Sequence, residues 1–210
     1  METNLPRPGE HEYRGLAGLI IASLAFSVPL TAWVTSGDAL SFDQDFHQRL
    51  AQLGNDTVTR VAWLAVNLAS AGVIVAVLTV LWLIAVRQRC RAVAVAASEI
   101  GALALNLALK YLFHRTRPGE SAPAYLFPST HMVLTVVTYG TLAGLIVMHV
   151  RGLRRWLITG VTVCLVACVG LSLVYLDQHY LTDVIGGLLI GGTWLGVSLT
   201  LLSHVAPGSR

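Results

Sequence analysis

The stretch VAWLAVNLASAGVIVAVLTVLWLIAV, Val61–Val86, runs 26 residues without a charged side chain and is closed by Arg87, Arg89 and Arg91. As a helix it would be about 39 Å long, enough to cross the ~30 Å hydrocarbon core of a bilayer. Lipid offers its backbone no hydrogen-bond partners, so a helix that satisfies its own amides is the structure such a run requires. Five further runs share its character: Gly15–Thr35, Ala92–Phe113, Met132–Val150, Trp156–Tyr175 and Val184–Ser203. The predicted fold is therefore all-α, a six-transmembrane-helix bundle.

Composition agrees. Of 210 residues only 14 are Lys or Arg and 11 are Asp or Glu, so 12% are charged against 55% hydrophobic, with mean hydropathy +0.68. A soluble domain carries about twice that charged fraction, and neither a disordered nor a collagen-like chain is this apolar. The net charge of +3 is too small and scattered for a nucleic-acid surface, so no nucleic-acid partner is expected. Cys164 and Cys168 stand four apart in an apolar run, a spacing that fits neither a redox pair nor a zinc site, and with Cys90 they read as small apolar fillers.

Between the first two spans, Phe42, Phe46, Leu50 and Leu53 recur at helical spacing with Asp43, Asp45, Gln48 and Arg49 off that stripe. This predicts a short interfacial amphipathic helix lying on the membrane surface. Residues 1–14 read as a cytoplasmic tail, 15–205 as the six-span domain and 206–210 as a second tail; no A-x-A site follows the first run, which makes it a retained anchor. Arg7, Arg14, Arg87, Arg89, Arg91, Arg151, Arg154, Arg155 and Arg210 fall on one side, which the positive-inside rule makes cytoplasmic. Trp33, Trp63, Trp82, Trp156, Tyr111 and Tyr175 near the span ends read as interfacial aromatics.

Three polar clusters converge on the opposite side: Lys110 with Arg117-Pro118, then Pro128-Ser129-Thr130-His131, then Ser172 with His179 and Asp183. Lys110, the only lysine in the chain, and Arg117 supply a point charge and a planar fork of donors suited to a phosphate. A turn at Pro128-Ser129-Thr130 opening the fourth span would aim free amides and the Ser129 hydroxyl at an anion. His179 and Asp183, at i and i+4, would share one helix face, with the carboxylate holding one ring nitrogen protonated and the other left as a lone pair. Taken alone, H-x-x-x-D is an ordinary helix-surface pair, PSTH a helix cap and Lys110 a snorkelling anchor; their joint order carries the argument.

That order, K-x6-RP, then PSGH, then SR-x5-H-x3-D, resembles the signature of the type 2 phosphatidic acid phosphatase family, most of all its bacterial membrane members, and matches it at nine of eleven specified positions. The resemblance covers nearly the whole chain, since membrane members have six spans. It implies that His179 is a nucleophile forming a phosphohistidine and that His131 protonates the leaving alkoxide and then activates water. Imidazole, with an ordinary pKa of about 6.5, suits both tasks. It further implies phosphate binding by Lys110, Arg117, Ser129 and Thr130. No metal and no cofactor are expected: Asp183, Asp177 and Glu120 are too scattered for a magnesium cage.

The departures are informative. Leu173 stands where the family has Arg, and losing one preorganised donor typically costs roughly 3 to 4 kcal/mol of transition-state stabilisation. Thr130 replaces Gly, and Asp177 stands where a small neutral residue is common. Arg115 either pairs with Asp177 or takes the missing arginine's place. Glu99, mid-span, shares a narrow stripe with Asn106, Lys110 and His114 that should face the bundle interior, where Glu99 is a hydrogen-bonded neutral carboxyl or a proton route. Gly187, Gly191, Gly192 and Gly196 form small-xxx-small pairs, explained by packing within the bundle or by a homodimer face.

The expected substrate is a lipid phosphate or an isoprenoid diphosphate, with its tail among membrane lipids and its phosphate at the outer leaflet of a bacterial inner membrane. Residues 114–127 would form the lid. A phosphotransferase using the same intermediate, or a catalytically impaired lipid-binding scaffold, are the rival readings.

Overall fold

The computed structural model describes residues 10–116 and 125–205, and among these residues every regular element is a helix. They are α1 (Glu10–Thr35), α2 (Ala39–Gln52), α3 (Asp56–Ser70), α4 (Gly72–Ala85), α5 (Arg89–Phe113), α6 (Thr130–Val147), α7 (Leu153–Tyr175) and α8 (Leu181–His204). Six stretches are long and apolar enough to cross a membrane: α1, α3 with α4, α5, α6, α7 and α8. The run that opened the sequence reading is thus two helices. They meet at Ala71, where the backbone ladder continues, Ala71 N donating to Asn67 O and Val75 N to Ala71 O, so the span bends and does not end.

The helix boundaries place the chemistry. Asn55 starts α3, its side chain accepting from the amides of Thr57 and Val58. His114 ends α5 in the left-handed conformation, φ 49°, with its amide on Lys110 O, and turns the chain back toward the bundle end. A Schellman turn closes α7: Asp177 N donates to Val174 O and Gln178 N to Leu173 O, with Asp177 at φ 55°. That accounts for Asp177 standing where small residues are common. The position requires a left-handed backbone, which aspartate tolerates better than most side chains.

α8 is the packing centre, flanked by α1, α6, α5 and α7. Its glycines make this geometry possible. A Cβ on Gly187 would lie 2.7 Å from Met132 Cβ and 2.8 Å from Ser129 O; on Gly191, 3.1 Å from Val133 O; on Gly196, 2.6 Å from Ile20 Cγ1. On Gly192 it would meet Ser23 Oγ at 3.2 Å. All four small faces are taken up by α6 or α1 of the same chain, so packing within the bundle is what they serve. Outward, large apolar side chains such as Ile21, Phe26, Val93, Ile100 and Val161 are exposed, as a lipid-facing surface requires. Trp33, Trp63, Trp82, Trp156 and Tyr111 are exposed too, whereas Tyr175 is partly buried, packed under Gly54 with its hydroxyl 2.8 Å from Thr59 Oγ1.

α2 corrects the sequence reading. It forms where expected, with Phe46 and Leu50 of the anticipated stripe partly buried and Phe42 and Leu53 exposed; the departure is Asp43, expected off the stripe and found fully buried. Its inner face is Ala39, Asp43, Phe46, His47 and Leu50. The reason lies in the partners available to Asp43, described next, which an apolar moment does not register.

Candidate active site

At one end of the bundle the chain brings together the C-terminus of α5, the N-terminus of α6, the turn between α7 and α8, and α2. At the other end lie Arg87 and Arg151 on the α4–α5 and α6–α7 connections, with Arg89, Arg91, Arg154 and Arg155 in the first turns of α5 and α7. Ser129 is the N-cap of α6; its hydroxyl accepts from Met132 N and its own amide donates to Asp183 O, 3.1 Å away, stitching the starts of α6 and α8 together. Ser129 is fully buried, and its hydroxyl accepts the cap bond from Met132 N, which leaves the hydroxyl proton to donate. The first amides of α6, at Thr130 and His131, have no carbonyl one turn back to meet and face the site end.

His131 and His179 sit edge to face across this end, ring centroids 6.3 Å apart and planes inclined 70°. The expectation that His179 and Asp183 share one helix face is not met, because Tyr180, extended at φ −73°, ψ 156°, precedes the first turn of α8 and leaves His179 in the turn before it. The pair nevertheless meets. Asp183 Oδ2 accepts from Tyr180 N at 3.0 Å and lies 3.8 Å from His179 Nδ1. His179 is 8% exposed, and its Nδ1 has no hydrogen-bond partner among the described residues. A contraction of under 1 Å, of the kind catalytic contacts undergo when substrate arrives, would close the bond to Asp183.

Lys110 Nζ donates to the carbonyls of Tyr125, at 2.5 Å, and Leu126, at 3.4 Å. Together with Leu126 N on Arg115 O this pins both ends of the connection that contains Arg117, Pro118 and Glu120. Those three residues, and most of the anticipated lid, lie outside the described residues. Thr130 Oγ1 accepts from Asn106 Nδ2 at 2.8 Å, so the side chain that replaces the family's glycine is held from α5.

Arg115 pairs with neither Asp177 nor a vacant phosphate subsite. Its Nη1 donates to Asp183 Oδ1 at 2.5 Å and to Thr182 Oγ1 at 2.7 Å, and its Nη2 to Asp43 Oδ2 at 2.7 Å. Its guanidinium also lies 4.9 Å over the ring of Tyr180. Asp177 instead faces His47, Oδ1 to Nε2 at 3.8 Å. Leu173 is fully buried among Ala65, Val66, Met132 and Val136, so the position of the missing arginine is filled by core. Asp43 is the residue that sequence reasoning missed. Its polar character placed it on the wet face of α2, and the only signal available was an acid about one turn from the start of a helix whose partners are over 70 residues away.

A groove of about 580 Å³ runs between α4, α5 and α6 from Thr130 and His131 toward mid-bundle. Its walls include Val73, Val77, Leu81, Ile100, Leu103 and Leu134, several of them exposed on the outer face, so the groove opens sideways. Glu99 lines its inner part and accepts from Thr138 Oγ1 at 2.9 Å, the inter-helix hydrogen bond expected of a sequestered carboxyl.

Residues 91–205, the stretch holding every one of the three clusters, match the family profile of the PAP2 superfamily. The chain belongs to the PAP2 superfamily. Among curated proteins, it is 36% identical over 97 residues to phosphatidylglycerophosphatase B of Bacillus subtilis strain 168, an alignment spanning 41% of this chain and 46% of that relative. The chain thus aligns with less than half the length of that relative. Among solved structures, it superposes with a TM-score of 0.77 on the transmembrane PAP2 type phosphatidylglycerolphosphate phosphatase from Bacillus subtilis, at 21% identity, covering 86% of this chain and 94% of the other. The six-span PAP2 fold of this protein therefore extends beyond the profile match to α1–α4.

Proposed function

We propose that this protein is a membrane phosphatase that hydrolyses a lipid phosphate or polyprenyl diphosphate at the outer leaflet of the cytoplasmic membrane, through a phosphohistidine on His179. The observation that carries the reading is the facing pair His131 and His179 at the head of an apolar groove open to the side. A tail lying in that groove puts its phosphate between the two imidazoles, beside the free amides that start α6. Lys110 and Arg117 supply the cations, Lys110 with the one of its three donors that its two carbonyls leave over.

In the first half-reaction His179 Nε2 bonds to phosphorus as the bond from phosphorus to the ester oxygen breaks, and His131 delivers a proton to that oxygen. Asp183 holds the proton on Nδ1 and balances the charge of the substituted ring. In the second half, His131 takes a proton from water, the hydroxide attacks phosphorus, and the nitrogen–phosphorus bond breaks to free inorganic phosphate and His179. Phosphatidylglycerol phosphate heads the substrates to try, given the names of the relatives.

The experiment is release of inorganic phosphate by detergent-solubilised protein from phosphatidylglycerol phosphate, phosphatidate and undecaprenyl diphosphate, beside His179→Ala. Release by the wild type and none by the variant is expected. Transfer of the phosphoryl group to an added alcohol with no free phosphate would favour a phosphotransferase. Absence of both activities would favour the scaffold reading, to which the buried Leu173 lends weight.

A further inference from the structure

Asp43 lies on α2, outside the residues that match the family profile, and yet it is wired to the catalytic carboxylate. Both of its oxygens are used: Oδ1 accepts from Thr182 N at 2.9 Å, and Oδ2 from Thr182 Oγ1 at 2.6 Å and Arg115 Nη2 at 2.7 Å. One guanidinium, 11% exposed, therefore stands between two fully buried carboxylates, Asp43 and Asp183.

We propose that Asp43 is a positioning residue for the reaction, acting through Arg115 to keep one oxygen of Asp183 available to His179. The inference rests on the function proposed above. A guanidinium left with a single carboxylate takes it with both terminal nitrogens in a fork. Here Asp43 claims Nη2, so Arg115 reaches Asp183 with Nη1 alone and touches only Oδ1. Oδ2 is then left to the amide of Tyr180 and to the face of His179 Nδ1. With Asp43 gone, Nη2 is released toward Oδ2 and competes with the imidazole for it. The interfacial helix thereby becomes part of the machinery that aims the nucleophile.

The alternative is that Asp43 merely docks α2, and His47 separates the two. His47 Nδ1 lies 3.0 Å from Val174 O, an independent anchor of the same helix that does not touch Arg115. On a lipid phosphate that the wild type hydrolyses, Asp43→Asn, isosteric and uncharged, is expected to lower kcat at least about tenfold with KM within about threefold. His47→Ala should keep kcat within about threefold, and adding Asp43→Asn to Arg115→Gln should change kcat by less than about threefold, since the route through Arg115 is already cut. A smaller loss in Asp43→Asn, an equal loss in His47→Ala, or losses that multiply in the double variant overturns the proposal and leaves the phosphatase reading intact. If Asp43→Asn does not fold, Arg115→Lys asks the same question: a point charge cannot hold two carboxylates apart, and a kcat loss under about tenfold would overturn it. A wild type that releases phosphate from no lipid overturns the functional reading itself.

Discussion

Gly187→Ala turns the packing of α8 into a test of the site. The added Cβ would sit 2.7 Å from Met132 Cβ and 2.8 Å from Ser129 O, where ordinary contacts begin at 3.4 Å. The nearer atom belongs to a side chain fully packed in the core, and the other is backbone at the N-cap of α6, so neither can swing aside. Relief requires α6 and α8 to part by roughly 0.7 Å at this level, the difference between the 2.7 Å approach and 3.4 Å. Overpacking of this kind costs about 1 to 3 kcal/mol. The same shift stretches the bond from Ser129 N to Asp183 O beyond its 3.1 Å and carries His131 away from His179. A misplacement of ~1 Å between reacting groups can cost about a hundredfold in rate, so a loss in kcat of ten- to a hundredfold is expected here, beyond what lower stability explains. The assay pairs thermal unfolding in detergent with phosphate release well below the melting temperature. Gly160→Ala is the control: nothing lies within 4 Å of its added Cβ, and it should melt no lower than wild type. If Gly187→Ala melts with the wild type and keeps its kcat, the claim that these glycines set the distance between the two histidines is wrong.

His131→Ala should slow phosphate release by at least about a hundredfold on a natural lipid phosphate but far less in forming the phosphoenzyme from a substrate with an activated leaving group, detected by rapid quench; equal losses in both would remove His131 from the acid role. Glu99→Gln keeps an acceptor for Thr138 Oγ1 and should leave kcat within about threefold, whereas Thr138→Val strands the carboxyl and should cost about 1 to 3 kcal/mol in unfolding; a large kcat loss in Glu99→Gln would instead make Glu99 a proton carrier. Phosphate release should survive dialysis against EDTA, since the proposed chemistry runs on two imidazoles and cations; loss restored by one divalent ion would refute that. Lys110→Ala should lower kcat by roughly a hundred- to a thousandfold, read in the same assay, because it removes both a phosphate donor and the tie to Tyr125 and Leu126.

Much of the site was legible because its parts are local. K-x6-RP and PSTH each lie within nine residues, and helix ends place Lys110 and Ser129–His131. What failed depended on rotation or on distant partners. The periodicity of Phe42, Phe46, Leu50 and Leu53 located α2 but left Asp43 on its wet side, since the three bonds that bury this aspartate come from distant residues. Arg115 was expected either to pair with Asp177 or to stand in for the missing arginine, yet the carboxylates it holds come from α2 and α8, 72 and 68 residues away. The i, i+4 rule for His179 and Asp183 presumed a helix that Tyr180 delays.

By itself the amino-acid sequence determined that this chain crosses a membrane six times and that three short polar motifs fall at the ends of its spans. Long apolar runs leave a backbone in lipid no alternative to the helix, and charges excluded from lipid must fall at the ends. The tertiary structure alone decided which face of α2 is buried, which carboxylates Arg115 joins, that Leu173 is core, and that the glycines of α8 serve its own bundle. These depend on how closely helices distant in sequence approach one another. That approach is set by side-chain volume and by the need of every buried charge for a partner, neither of which the spacing of residues along one chain records.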